Sequence, residues 1–178
     1  MKKTVLRFGL ISGLVIFVLF VLSYLIFGSS TDFDTREVFG YAAIIISLLF
    51  VFFGIRHYRD KENGGALSFG KGMKVGVLIT LVPAIVFGLF SVIYAEFINP
   101  DFTETYYAHY LADLQKTMTP EKFEVARKEF ESQKAMFDNP IFNFLLMFVT
   151  VFVIGVIVTV ISSLILKRNS RNMRNAVA

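Results

Sequence analysis

Residues 141–166 read IFNFLLMFVTVFVIGVIVTVISSLIL. No Asp, Glu, Lys or Arg interrupts this run. A helix needs roughly 20 mainly apolar residues to cross a hydrocarbon core of about 30 Å. Three further runs share that length and composition: Phe8–Phe27, Val38–Ile55 and Val75–Ala95, none with an ionisable side chain in its interior. The sequence therefore predicts an all-α, polytopic four-helix transmembrane bundle. It reads as a single membrane domain over residues 1–178, with the lipid bilayer as its first partner.

Composition agrees. With 55% hydrophobic residues and a mean hydropathy of +0.63, the chain is too apolar for an ordinary soluble domain. Its 21 Phe residues suit lipid-facing and helix-packing surfaces. There is no Trp, so an interfacial aromatic belt must come from rings such as Tyr24, Tyr41, Tyr58 and Tyr94, all near span ends. The absence of Cys excludes disulfides, thiol catalysis and cysteine metal sites. The net charge of +4 does not imply nucleic acid, because the basic residues sit at helix ends rather than on an aromatic-interleaved soluble surface. Lys2-Lys3 before an apolar run resembles a signal peptide. The run is long for one and no A-x-A site follows, so an uncleaved first span is expected.

The charges outside the spans divide by side. Lys2, Lys3 and Arg7, then Arg56, Arg59, Lys61, Lys71 and Lys74, then Lys167, Arg168, Arg171 and Arg174 make twelve of the eighteen basic residues, accompanied by only Asp60 and Glu62. The remaining connections hold Asp32, Asp34, Arg36 and Glu37, and a long segment from Ile98 to Asn139 with eight acids and five basic residues. Positive charge is retained in the cytoplasm. Both termini and the 56–74 loop are therefore expected inside, in a multi-pass membrane protein.

The long outer segment carries helical periodicity. Tyr107, Tyr110, Leu111, Leu114 and Met118 recur at spacings of three and four. Thr119-Pro120-Glu121 is a helix start, and Phe123, Ala126, Phe130 and Phe137 share a face of the helix that follows. Asn139-Pro140 marks the entry to the last span. The expectation is an extracytoplasmic helical hairpin over about 101–139, too small to hold a core alone. Its aromatic face, Tyr107, Tyr110, Phe123, Phe130 and Phe137, is the candidate partner surface, with contact to the bundle mouth as the rival arrangement. On the other side, Asn63-Gly64-Gly65 predicts a turn between spans two and three, and Ser68 an N-cap for span three.

The stretch Tyr58-Arg-Asp-Lys-Glu-Asn-Gly-Gly-Ala-Leu-Ser-Phe-Gly-Lys-Gly72, the helix opening at Met118-Thr-Pro-Glu121, Asn139-Pro140 and a last span with Ile154-Gly155-Val-Ile157 together resemble the small bacterial membrane proteins grouped as domain of unknown function 4199, common in Bacteroidota. The resemblance covers nearly the whole chain. It implies four spans and a bacterial inner membrane, and it supplies no activity and no site residues.

No enzyme is read from the sequence. Gly65-Ala-Leu-Ser-Phe-Gly70-Lys71-Gly72 approaches a phosphate-binding loop, but Gly72 stands where a hydroxyl must bind Mg²⁺ and no strand precedes it. His57 and His109 fall on opposite sides of the membrane in this topology and cannot share a metal. His109, in a Tyr-rich helix, is a candidate acid sensor beside a plain surface role. No Ser in a span has a His near it in sequence. No catalytic, cofactor-binding or metal-ligating set is expected. Glu96 lies just past the end of span three, and a coupled carrier needs ionisable groups inside its spans. Pro83 predicts a kink.

Small residues recur at packing distance: Gly9 and Gly13 in span one, Gly72 and Gly76 entering span three, and Gly155, Thr159 and Ser163 in span four. They predict close helix contacts within the chain, with a homo-oligomer as the alternative. Two functional classes follow. One is a non-enzymatic accessory or interaction protein with an envelope protein partner. The other is a small transporter or channel for an uncharged or amphipathic solute. Polar groups converging at mid-depth would favour transport; a closed apolar core would favour the accessory role.

Overall fold

The structure, a computed structural model, describes residues 1–28 and 33–168, with the side chains of residues 133–135 and 137 outside that set. Among the described residues six α-helices follow in order: α1 (Lys2–Phe27), α2 (Phe33–His57), α3 (Phe69–Ile93), α4 (Phe102–Thr117), α5 (Pro120–Phe137) and α6 (Pro140–Leu166). Among the described residues the β pairing found is an isolated bridge between Leu67 and Arg168.

Two helices are longer than the apolar pattern required. α2 continues as a π-helical turn, Tyr58–Glu62, and α3 continues as another, Tyr94–Ile98. Each ends on an asparagine whose N–H closes the last wide turn: Asn63 N–H to the Tyr58 carbonyl at 3.0 Å and Asn99 N–H to the Tyr94 carbonyl at 2.8 Å. With these extensions, Lys2–Phe27, Phe33–Glu62, Phe69–Ile98 and Pro140–Leu166 are each long and apolar enough to cross a membrane. The predicted spans fall inside all four.

The chain divides into two compact units, Met1–Phe87 with Phe148–Ala178, and Gly88–Met147. The first contains α1, α2, most of α3 and most of α6. Its interior is filled by Ile16, Leu48, Val51, Ile55, Val75, Ile79 and Val151, all fully buried. Its outside is as apolar as its inside. On α6 the exposed side chains include Val149, Val153, Ile157, Ile161 and Leu164, and on α1 Leu6, Leu10 and Leu14, again at steps of three and four. In water such stripes would drive association; in a bilayer lipid covers them. The hydrophobic effect then cannot hold the helices together, and close contact between small residues must.

α3 runs unbroken through Pro83, where the sequence predicts a kink. The proline has no N–H, so the Ile79 carbonyl loses its usual partner. Gly9 of α1 lies beside that oxygen: a Cβ added at Gly9 would stand 3.5 Å from it and 2.8 Å from Val82 Cγ2. A glycine here lets α1 approach the part of α3 where the ladder is interrupted.

In the second unit, α4 and α5 are joined by Met118 and Thr119 and pack through rings. The Phe130 centroid lies 5.6 Å from Tyr107 and 5.0 Å from Tyr110. Asn139 starts α6: its side-chain oxygen accepts from the N–H of Ile141 at 2.9 Å and of Phe142 at 3.3 Å, and Pro140 fills the first helical position. Ser91 donates to the Asn143 side-chain oxygen at 2.5 Å, a polar tie between the end of α3 and the start of α6.

Candidate functional site

The small residues of α3 and α6 meet in register. A Cβ added at Gly72 would lie 2.7 Å from Ser163 Oγ, one added at Gly76 would overlap the Thr159 side chain, and one added at Gly155 would overlap Thr80. Each step of four along α3 meets a step of four back along α6, so every rung sets a glycine against a hydroxyl residue. Thr80, Thr159 and Ser163 are fully buried. Thr80 Oγ1 donates to the Gly76 carbonyl one turn back, at 3.0 Å, while Thr159 Oγ1 and Ser163 Oγ have no hydrogen-bond partner among the described residues. Hydroxyls in a span are usually satisfied through the i−4 carbonyl, as Thr80 shows.

Gly9 and Gly13 face Val82 and Val86 of α3. All seven small residues predicted to pack therefore lie against another helix of the same chain. Two contacts were not readable. Gly54 of α2 is pressed against Ile79 and Phe8. Ser12 and Ser47 form a reciprocal pair, each hydroxyl donating to the other's backbone carbonyl, at 2.8 Å and 2.9 Å. The pair ties α1 to α2 with no polar group left over.

The predicted partner surface is divided by the structure. Tyr107 is buried and Phe130 half-buried, because they hold α4 to α5. Phe123 is half-buried, Tyr110 is exposed on one side, and the Phe137 side chain lies outside the described residues. On α4, α5 and the turn between them the exposed large apolar side chains include Tyr110, Met118, Val125 and Met136, and Phe97 is exposed beyond the end of α3. Around them are Arg127 with Glu124 and Glu131, at 3.4 Å and 3.6 Å, and Asp113 with Lys116 at 2.8 Å. Lys116 holds the Asp113 carboxyl below its ordinary range, and His109 approaches the same carboxyl at 3.5 Å.

Burial pushes the Tyr107 phenol up to about 12, helped by the nearby charge of Asp138. A raised phenol stays protonated in the folded pair while the unfolded chain ionises near pH 10. Its contribution is complete below about pH 10 and is lost as pH climbs through about 12. Near-ultraviolet circular dichroism of the wild type should therefore lose aromatic structure across that window, and Tyr107→Phe should flatten the loss. An unchanged profile in Tyr107→Phe would assign the transition to another group.

Within the first unit, three basic segments gather. Thr4 is buried and bonds the Glu62 carboxylate, with its hydroxyl 3.3 Å from His57 Nδ1. His57 also lies against the Phe8 ring, at 5.4 Å between centroids. The Met1 amino group pairs with Glu62. Arg59 donates to Asp60 at 2.6 Å and reaches the last carbonyl of α6, Leu166, at 3.5 Å. Leu67 and Arg168 exchange two backbone hydrogen bonds of 2.9 Å each. The stretch resembling a phosphate loop is thus a turn, a bridge and the first turn of α3, preceded by a π turn rather than a strand. Gly64 and Gly65 supply the turn with φ of 60° and 78°. Among the described residues no group of three His, Cys, Asp or Glu side chains is placed to hold a metal ion.

A protein-family model described as "Protein of unknown function (DUF4199)" matches residues 7–168. No curated protein matches the chain, and no solved structure does.

Proposed function

We propose, for a chain that belongs to the DUF4199 family, the role of a non-enzymatic accessory or interaction protein of the bacterial inner membrane. The observation that carries this reading is the filled interior of the first unit. Ile16, Leu48, Val51, Ile55, Val75, Ile79 and Val151 occupy it, and the hydroxyls of Thr80, Thr159 and Ser163 face glycines while those of Ser12 and Ser47 face one another across helix contacts. Such an interior serves helix packing rather than solute passage. Recognition then falls to the segments between spans, and α4 with α5 offers the largest: exposed Tyr110, Met118, Val125 and Met136 among alternating charges. Exposed apolar side chains rimmed by polar ones suit a protein partner.

The orientation proposed is both termini and the 56–74 loop in the cytoplasm, with α4 and α5 outside. Support comes from the gathering of the basic segments at one end of the first unit, through Thr4, Glu62, Leu67 and Arg168, combined with retention of positive charge inside. Single cysteines test it, since the chain has none of its own. In intact cells a membrane-impermeant thiol reagent should label Lys122→Cys and leave Asn63→Cys untouched until the membrane is opened; the opposite pattern inverts the topology. The accessory role is tested by cross-linking in membranes. Val125→Glu should stay inserted and folded yet lose a cross-linked partner that the wild type retains, and equal recovery from both would remove α5 as the contact.

A further inference from the structure

We propose that the basic end of the first unit holds a binding site for a phosphate-bearing anion, built on Lys71, Lys167 and Arg168. These three cations, with Asn63, Ala66, Leu67 and Ser68, line one notch of about 400 Å³. No carboxylate lines it. The nearby acids are already engaged: Asp60 by Arg59 at 2.6 Å and Arg56 at 3.8 Å, and Glu62 by the Met1 amino group and Thr4. Among the described residues no acid lies within ion-pair distance of Lys71, Lys167 or Arg168; Asp60 feels the charge of Arg168 only from beyond that distance. The Lys71 ammonium donates to a neutral group, the Asn63 side-chain oxygen, at 3.1 Å.

The notch is framed by backbone rather than by mobile side chains. The Leu67–Arg168 bridge fastens the 63–68 turn to the residues after α6. Leu67 is buried beneath it. The Asn63 amide donates to the Ala66 carbonyl and closes the turn, and Arg59 anchors the end of α6 through the Leu166 carbonyl. This frame sets Lys167 and Arg168 opposite Lys71 before any ligand arrives. Like charges held together repel, and a bound anion relieves that repulsion; Lys and Arg donors suit phosphate oxygens. A cavity of this size has room for more than a bare phosphate.

Location favours a lipid source. Lys71 lies in the first turn of α3, and Lys167 and Arg168 follow the last residue of α6, so all three stand where two apolar helices leave the hydrocarbon. Anionic headgroups are concentrated at that depth, and basic pockets between spans take them. A soluble phosphate compound offers the same chemistry from the water side.

The test uses the purified full chain in phosphatidylcholine nanodiscs, with and without added phosphatidylglycerol. The expected result is a rise in melting temperature of about 5 °C with the anionic lipid. Lys71→Gln/Lys167→Gln/Arg168→Gln should lose most of that increment, while Lys2→Gln/Lys3→Gln should keep it. A parallel arm adds inorganic phosphate against chloride at matched ionic strength to phosphatidylcholine nanodiscs. An increment confined to that arm, and lost in the triple variant, assigns the site to a soluble phosphate. Should the triple variant be unstable before any anion is added, Lys167→Gln alone, at an exposed position, is expected to lose part of the increment. The proposal is overturned if neither anion stabilises the wild type, or if the notch variants respond as the wild type does.

Discussion

Gly155→Leu is expected to lower the melting temperature of the full chain by about 10 °C, a loss of about 3 kcal/mol. A single added Cβ at this position already overlaps Thr80. Thr80 is β-branched, fully buried and hydrogen-bonded to the Gly76 carbonyl, so it cannot turn aside cheaply. The remaining leucine atoms must push α6 from α3 and open the rungs at Gly76 and Gly72 as well. Ile157→Leu, two residues along and facing outward, should cost no more than about 0.5 kcal/mol. A swap separates fit from mere bulk. Gly155→Thr should destabilise, and adding Thr80→Gly should recover much of the loss, because the rung is then rebuilt with its knob on the other helix. Equal effects at 155 and 157, or no recovery in the swap, would falsify the seam as the contact that holds α3 to α6.

The seam shows where sequence reading succeeds and where it stops. Four helices were legible because lipid imposes a length and forbids charge, and both leave marks in a linear sequence. The π turn ending at Glu62 lay where the polar residues Arg56–Glu62 carry the helix past its apolar run, although nothing in the pattern distinguishes i→i+5 bonding from an ordinary turn. The glycine and hydroxyl spacing marked a face on α6. It could not name the facing helix, because a spacing of four is the same whichever neighbour it meets. Ser12 and Ser47 left no signal at all: each is a serine within an apolar run, and only their juxtaposition makes them a pair. The aromatic stripe of 107–130 carried the subtler ambiguity. A face that seeks a partner and a face that seeks the next helix have the same period, and a two-residue turn at Met118-Thr119 let Phe130 reach Tyr107 and Tyr110.

That ambiguity sets the second large effect. Phe130→Ser is expected to loosen α4 from α5 and leave the four apolar helices unchanged. The ring is half-buried and contacts two tyrosines. Removing a buried Phe costs about 3–5 kcal/mol, and aromatic pairs add about 1 kcal/mol beyond area. For a half-buried ring a loss of about 2 kcal/mol is reasonable, which is roughly a 30-fold drop in amide hydrogen-exchange protection across 102–137. Phe130→Leu should recover part of the protection, whereas Val125→Ser, on the exposed side of the same helix, should leave it intact. Equal protection in Phe130→Ser and Val125→Ser would mean the ring contacts do not hold the pair. The two positions also divide the functional question. Loss of a cross-linked partner in Phe130→Ser would follow from collapse of the helix pair. Loss in Val125→Glu, with protection retained, would place the partner on the outer face of α5. The surface that recognises a partner is then the one the helix pair leaves uncovered, and the stripe most conspicuous in the sequence is the scaffold beneath it.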